Sequence, residues 1–157
     1  MVMQKKMIKS WTCKEERDLD FIAKDFLKHT RSPMAVILTG VVGAGKTTFS
    51  KYFARMIAGA SDECVSSPTY SIINEMENFV HADFFRVKKS SEIIHLEIPL
   101  YIEGKQYFFI EWGIDWLSEI KKELNSSFTI YELEIIVSTP KKNILPQERI
   151  FSLYVLD

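Results

Sequence analysis

Apolar positions recur along this chain in two rhythms. Between residues 14 and 28 (KEERDLDFIAKDFLK), Leu19, Ile22, Ala23, Phe26 and Leu27 fall three and four apart, with charges between them. That spacing lines one face of an amphipathic helix. Thr12 precedes it as a candidate N-cap, and Glu15 and Glu16 suit the positive end of the helix dipole. Residues 7–11 (MIKSW) predict a short strand ahead of the helix, and HTRSP (29–33) a turn behind it. The run MAVILT (34–39) shows no alternation. A strand apolar on both faces belongs inside a parallel sheet. Residues 49–59 (FSKYFARMIAG) return to helical spacing, with Phe49, Phe53 and Ile57 on one stripe and Gly59 as the stop.

The second half mixes the rhythms. Residues 64–76 combine a loop and a strand, broken at Pro68, and FVHADFF (79–85) reads as the return strand. SSEIIHLEI (90–98) predicts a short helix capped by Ser90 or Ser91. YFFIEW (107–112) is a buried strand ending in an acid, and DWLSEIKKEL (115–124) is a helix. TIYELEIIVS (129–138) and RIFSLYVL (149–156) are strands expected to pair antiparallel across a loop bearing Pro and Lys. No repeat, low-complexity tract or linker interrupts the chain.

Between the strand 34–39 and its helix stands GVVGAGKTT (40–48), which holds three of the chain's six glycines. Residues 40–47 match G-x-x-x-x-G-K-[ST] in full. Glycines let successive backbone N–H groups converge on one point, and the following helix adds its own amides and positive dipole end. Gly43, Ala44, Gly45, Lys46, Thr47 and Thr48 are the predicted nucleotide-binding residues. Lys46 would reach the β- and γ-phosphates, and the Thr47 hydroxyl would ligate Mg²⁺. Chance produces this pattern in roughly half a percent of chains of this length. The strand before it and the helix after it make a plain glycine turn a poor account. Strand, phosphate loop, helix, then further strands and helices predict an α/β fold. It is a P-loop NTPase-like three-layer sandwich around a central mixed β-sheet.

A magnesium site beside such a loop takes hard oxygen ligands, often a carboxylate from a neighbouring strand. Glu111 ends the apolar run YFFI, at the strand edge outside which ligands bind in open α/β sheets. Asp83 sits in HADFF, inside another apolar stretch. Either acid alone is equally well read as a solvated strand end. Together, behind a phosphate loop, they become catalytic and metal-site candidates. Ser66, Ser67 and Thr69 flank Pro68 in a hydroxyl-rich segment that reads as a γ-phosphate sensor or an ordinary turn. His81, between strand residues, reads as a packed or hydrogen-bonded core group. Arg86 could pair with Asp83 or reach a phosphate, and Trp112 and Trp116 read as core or interface.

Composition narrows the classes. The 157 residues fit one domain, 1–157, and 13% aromatics with a net charge of −1 exclude a disordered chain. A net charge of −1 gives no basic surplus for gripping nucleic acid alone, so RNA would be reached through another protein. Two cysteines, Cys13 and Cys64, make no disulfide framework. No apolar h-region opens the chain and no run approaches the ~20 residues of a membrane span. A cytoplasmic protein without membrane contact is the expectation.

Four segments in order resemble the TsaE (YjeE) family, bacterial ATPases needed for threonylcarbamoyladenosine (t6A) synthesis in tRNA. GAGKTTF (43–49) resembles the family's P-loop, and SSPTYSIINEM (66–76) its S-P-T-[FY] segment. HADFFR (81–86) resembles H-x-D-x-Y-R, and IEW (110–112) resembles E-W. The likeness spans roughly residues 10–140. It implies that Lys46 binds phosphate, that Thr47 and Glu111 serve the metal with Asp83 as a second acid, and that Thr69 lies in a switch-like loop. It implies that Trp112 packs near the site and that the segment around Trp11 and Thr12 lies near the adenine. It further implies partners resembling TsaD and TsaB, and a weak ATPase stimulated by them. Val41 and Val42 replace the family's Asp-Leu, Phe85 its tyrosine, and Gly113 the proline after E-W. The family's glycine after the Glu-rich helix is absent near EIIHLEIPL. These departures mark a divergent member.

Two other readings compete. A small P-loop kinase would need cationic groups around the transferred phosphoryl group, yet the chain has only Arg17, Arg31, Arg55, Arg86 and Arg149, and no Arg-rich lid. A non-catalytic switch would bind nucleotide only to set partner affinity.

Overall fold

Met34–Thr39 (β2) lies in the interior of a seven-stranded sheet because it is apolar on both sides; its first five residues are all buried. A computed structural model describes residues 4–58, 71–138 and 147–157. The remaining strands are Lys5–Cys13 (β1), Ile73–Glu75 (β3), Phe79–Asp83 (β4), Tyr107–Glu111 (β5), Thr129–Val137 (β6) and Arg149–Leu156 (β7). Their order in the sheet is β1-β7-β6-β2-β5-β4-β3. β2 runs parallel to β5 and β6, and β4 parallel to β5, while β3, β7 and β1 join antiparallel. The mixed sheet and the antiparallel β6–β7 pair are as the sequence predicts.

Helices cover both faces. Asp18–Lys28 (α1) and Lys46–Ala58 (α2) pack on one side. Ser90–His95 (α3), Ile98–Ile102 (α4) and Leu117–Glu123 (α5) pack on the other. Phe49 and Phe53, one turn apart on α2, meet Phe109 of β5 with ring centroids at 6.3 and 4.6 Å, and Phe26 of α1 meets all three. Each aromatic pair adds about 0.5–1.5 kcal/mol beyond its buried area. This cluster pins the start of α2 against the sheet, beside the end of β5.

Local details depart from expectation. Thr12 does not cap α1: it lies in β1, and α1 begins only at Asp18, with Arg17 at its N-cap. No side chain caps α1; the Asp18 carboxylate instead holds the turn that leads into it. It accepts hydrogen bonds from the Lys14 and Glu15 amides at 2.8 and 3.0 Å, and these hold its carboxyl below the usual value. Lys89, in extended backbone, precedes α3, so neither Ser90 nor Ser91 stands at its cap. The 90–98 segment is split in two at Glu97, whose left-handed φ of 54° turns the chain into α4. The 79–85 strand stops at Asp83. There the Asp83 side chain accepts the Phe85 amide at 3.0 Å and folds a tight turn. Gly59 lies outside the described residues.

Candidate functional site

Residues 40–45 join β2 to α2, and the glycines at 43 and 45 turn the loop with φ of 79° and 109°. Residues with a Cβ rarely adopt these values. α2 therefore opens directly off the loop. Its first amides have no carbonyl one turn back to pair with, which makes the helix start a ready anion site.

Lys46, the first residue of α2, is buried. Its Nζ donates to the Gly40 and Val41 carbonyls at 2.7 and 3.0 Å and lies 4.3 Å from the centre of the Trp112 ring. Burial pushes the Lys46 amine below its usual value, while the nearby Glu111 and Asp83 carboxylates pull the other way. Trp112 holds a left-handed φ of 58° and packs on Phe85, centroids 5.3 Å apart.

Sheet register assembles the acids. Asp83 of β4 stands opposite Glu111 of β5, and Glu111 stands opposite Leu38, one residue from the end of β2. Both carboxylates thus reach the strand ends where the loop begins. Glu111 is only 3% exposed. The Thr47 hydroxyl lies 2.8 and 3.0 Å from its two oxygens, and His81 Nε2 lies 2.8 Å from Oε1. A cleft of about 350 Å³ opens here, lined by Lys46, Thr47, Asp83, Phe85, Glu111 and Trp112.

A second hollow of about 220 Å³ lies across the loop, sharing Gly43, Gly45 and Thr48 with the first. Cys13, Leu19, Phe151 and Arg149 line it. Arg149 Nε donates to the Ala44 carbonyl at 2.8 Å.

Seven predicted site residues, Gly43, Gly45, Lys46, Thr47, Thr48, Asp83 and Glu111, thus converge on one cleft, whereas Ala44 is fully buried and does not line it. Thr12 does not join them: it is exposed on β1, opposite Ile150, and borders a separate hollow with Trp11 and Phe21. Thr69, with Ser66 and Ser67, lies outside the described residues. Two residues gain weight from the structure. His81, read as a core group, touches Glu111. Arg149, noted in the sequence only as one of five arginines, touches the loop from 105 residues away; nothing in its local sequence signals the contact. Gly113 also finds a reason. A Cβ there would meet Ile110 Cγ2 at 2.7 Å and Ile120 Cδ1 at 3.2 Å, so glycine lets the turn after Trp112 close on α5.

The donor set suits magnesium. Among the described residues no three His, Cys, Asp or Glu side chains gather into a metal cage. What the cleft offers is a hydroxyl and carboxylate oxygens at a phosphate loop. Magnesium is commonly bound this way, by one or two carboxylates with water and phosphate oxygens completing the shell.

The family model for threonylcarbamoyl adenosine biosynthesis protein TsaE matches residues 13–143. The chain belongs to the TsaE family. Relatives named tRNA threonylcarbamoyladenosine biosynthesis protein TsaE include one from Bacillus subtilis. It is 32% identical over 107 residues, which cover 66% of this chain and 65% of that one. The Aquifex aeolicus relative is 31% identical over 85 residues, 52% of this chain and 64% of that one. The Rickettsia typhi relative is 30% identical over 117 residues, 72% of this chain and 76% of that one. The chain thus spans just under two thirds of the first two relatives' length. The crystal structure of Bacillus subtilis YdiB shares the fold, with a TM-score of 0.60 and 20% identity over 99% of this chain and 88% of that one. Lys46, Thr47, His81, Asp83 and Glu111 fall within the matched TsaE region, and Thr12 and Arg149 lie outside it. No helix among the described residues is long and apolar enough to cross a membrane.

Proposed function

We propose that this TsaE-family chain binds and hydrolyses MgATP as an accessory protein of tRNA t6A formation. It would work in the cytoplasm with TsaD- and TsaB-like proteins and reach tRNA through them. One observation carries the reading most directly: the Thr47 hydroxyl, one residue past Lys46, is already bonded to the buried Glu111 carboxylate. A glycine turn without a ligand gives no reason to bury a carboxylate against that hydroxyl.

On this reading Lys46 leaves the Gly40 and Val41 carbonyls and binds the terminal phosphates. The loop amides and the start of α2 hold the remaining phosphate oxygens. Thr47 and Glu111 would hold Mg²⁺, with Asp83 beside them. The ion would add positive charge where negative charge grows on the transferred phosphoryl group. Glu111 or Asp83 would orient the attacking water, and Thr69 is proposed as the residue of a switch-like loop. Phosphoryl transfer rests on positioning and electrostatics, so no covalent intermediate is needed. The turnover is expected to be slow until a partner completes the site, because the described cleft supplies Lys46 as its one cationic lining residue.

The test is phosphate release from ATP by the protein alone and mixed with TsaD- and TsaB-like proteins. Release that rises on mixing and is lost in Glu111→Ala supports the reading. No binding to the partners and no rise overturns it.

A further inference from the structure

The proposed metal site turns on the direction of one side chain. Glutamate has three rotatable bonds, and ordering it costs conformational entropy unless something holds it. Thr47 is one holder of the Glu111 carboxylate, and His81 is the other, with Nε2 2.8 Å from Oε1. The sheet explains the meeting. Asp83 lies opposite Glu111, so His81, two residues earlier on the same face of β4, is the diagonal neighbour of Glu111. Side chains in that relation can touch across adjacent strands. His81 is 7% exposed, and its ring's only hydrogen bond among the described residues is the one to Glu111. A buried imidazole that gives its one described bond to a carboxylate has a reason to be histidine beyond filling space. The Lys46 ammonium meanwhile attracts the same carboxylate, yet the ring nitrogen within hydrogen-bond distance of Glu111 is that of His81.

We propose that His81 is a positioning residue for the metal site: its Nε2–H fixes the Glu111 carboxylate on Thr47. This rests on the MgATP reading above. Partners that orient a metal-ligating group typically change metal affinity or activity 10–100-fold when removed, roughly speaking.

His81→Phe keeps the ring and removes the donor. His81→Gln lacks the ring but carries an amide that reaches the place of Nε2. The readouts are nucleotide affinity without metal, the Mg²⁺ concentration giving half-maximal ATP turnover, and thermal denaturation of each variant. His81→Phe is expected to bind nucleotide without metal as the wild type does. Its half-maximal Mg²⁺ concentration should rise by roughly 10–100-fold. His81→Gln should recover most of that loss. If His81→Phe does not fold, His81→Asn, whose amide is too short to reach Oε1, replaces it. A wild-type Mg²⁺ response in His81→Phe, or equal impairment in His81→Gln, overturns the positioning role alone. A wild-type protein without any Mg²⁺ response overturns both this role and the MgATP reading beneath it.

Discussion

Arg149 Nε donates to the Ala44 carbonyl at 2.8 Å and so ties the first residue of β7 to the middle of the phosphate loop. The Ala44 amide donates to the Val41 carbonyl at 3.0 Å, so both polar groups of this residue are held while the loop turns toward α2. Hydrogen bonds to charged groups contribute about 1.5–3 kcal/mol, less where water screens them, and Arg149 is half-buried. Arg149→Met retains the apolar stem, and should weaken ATP binding roughly fivefold, about 1 kcal/mol. An equilibrium titration showing less than a twofold change would contradict the tie.

Gly40 is fixed by crowding as well as by backbone. A Cβ there would stand 2.5 Å from the Ile135 carbonyl oxygen of β6, and its φ of 145° disfavours L side chains. Strain and overpacking each cost about 1–3 kcal/mol. Gly40→Ala should therefore lose roughly 3 kcal/mol of unfolding free energy in denaturant. Gly43→Ala meets no atom within 4 Å and bears only the strain of φ 79°, so it should lose roughly half as much. Equal losses in the two would refute the packing argument.

Trp112 should report on the site. The Lys46 ammonium lies over its ring at 4.3 Å, and the proposed ligand draws that ammonium away. Tryptophan emission should change on adding ATP, and Trp112→Phe should abolish the change although Trp11 and Trp116 remain. A signal that persists in Trp112→Phe would place the movement elsewhere.

Lys46 also predicts a pH dependence. Burial holds its amine below the ordinary value of 10.5 in the free protein. Bound phosphate favours the ammonium and so raises the value. Binding then takes up protons wherever free Lys46 is partly neutral. ATP affinity should fall as pH rises through the depressed Lys46 value, below 10.5. Affinity flat up to 10.5, or rising, would contradict this.

What the sequence made legible follows from range. The phosphate loop, α2 and the buried β2 are written in contiguous residues, so their pattern suffices. Glu111 was visible because it ends an apolar run and Asp83 because it interrupts one, and parallel register then brings the two together. Contacts made across the sheet were not legible. His81 reads as core because burial is what an apolar strand predicts, and its touch on Glu111 depends on a diagonal between two strands. Arg149 merely opens an ordinary strand, so nothing local marks it. Thr12 had the right chemistry for a cap, but β1 extends through it to Cys13, and the turn before α1 is held by the Asp18 carboxylate. The divided helix at 90–102 depends on one left-handed residue, Glu97, which carries no glycine or asparagine to announce it.

The central claim is that Lys46, Thr47 and Glu111 together hold MgATP. Calorimetric titration of the wild-type chain and Lys46→Ala with ATP, with and without Mg²⁺, tests it most directly. Saturable binding strengthened by Mg²⁺ is predicted for the wild type. Lys46→Ala should bind at least ~30-fold more weakly, as expected when a buried charge partner is removed. A wild-type chain that shows no saturable binding, or a Lys46→Ala variant that binds as tightly as it does, would contradict the account.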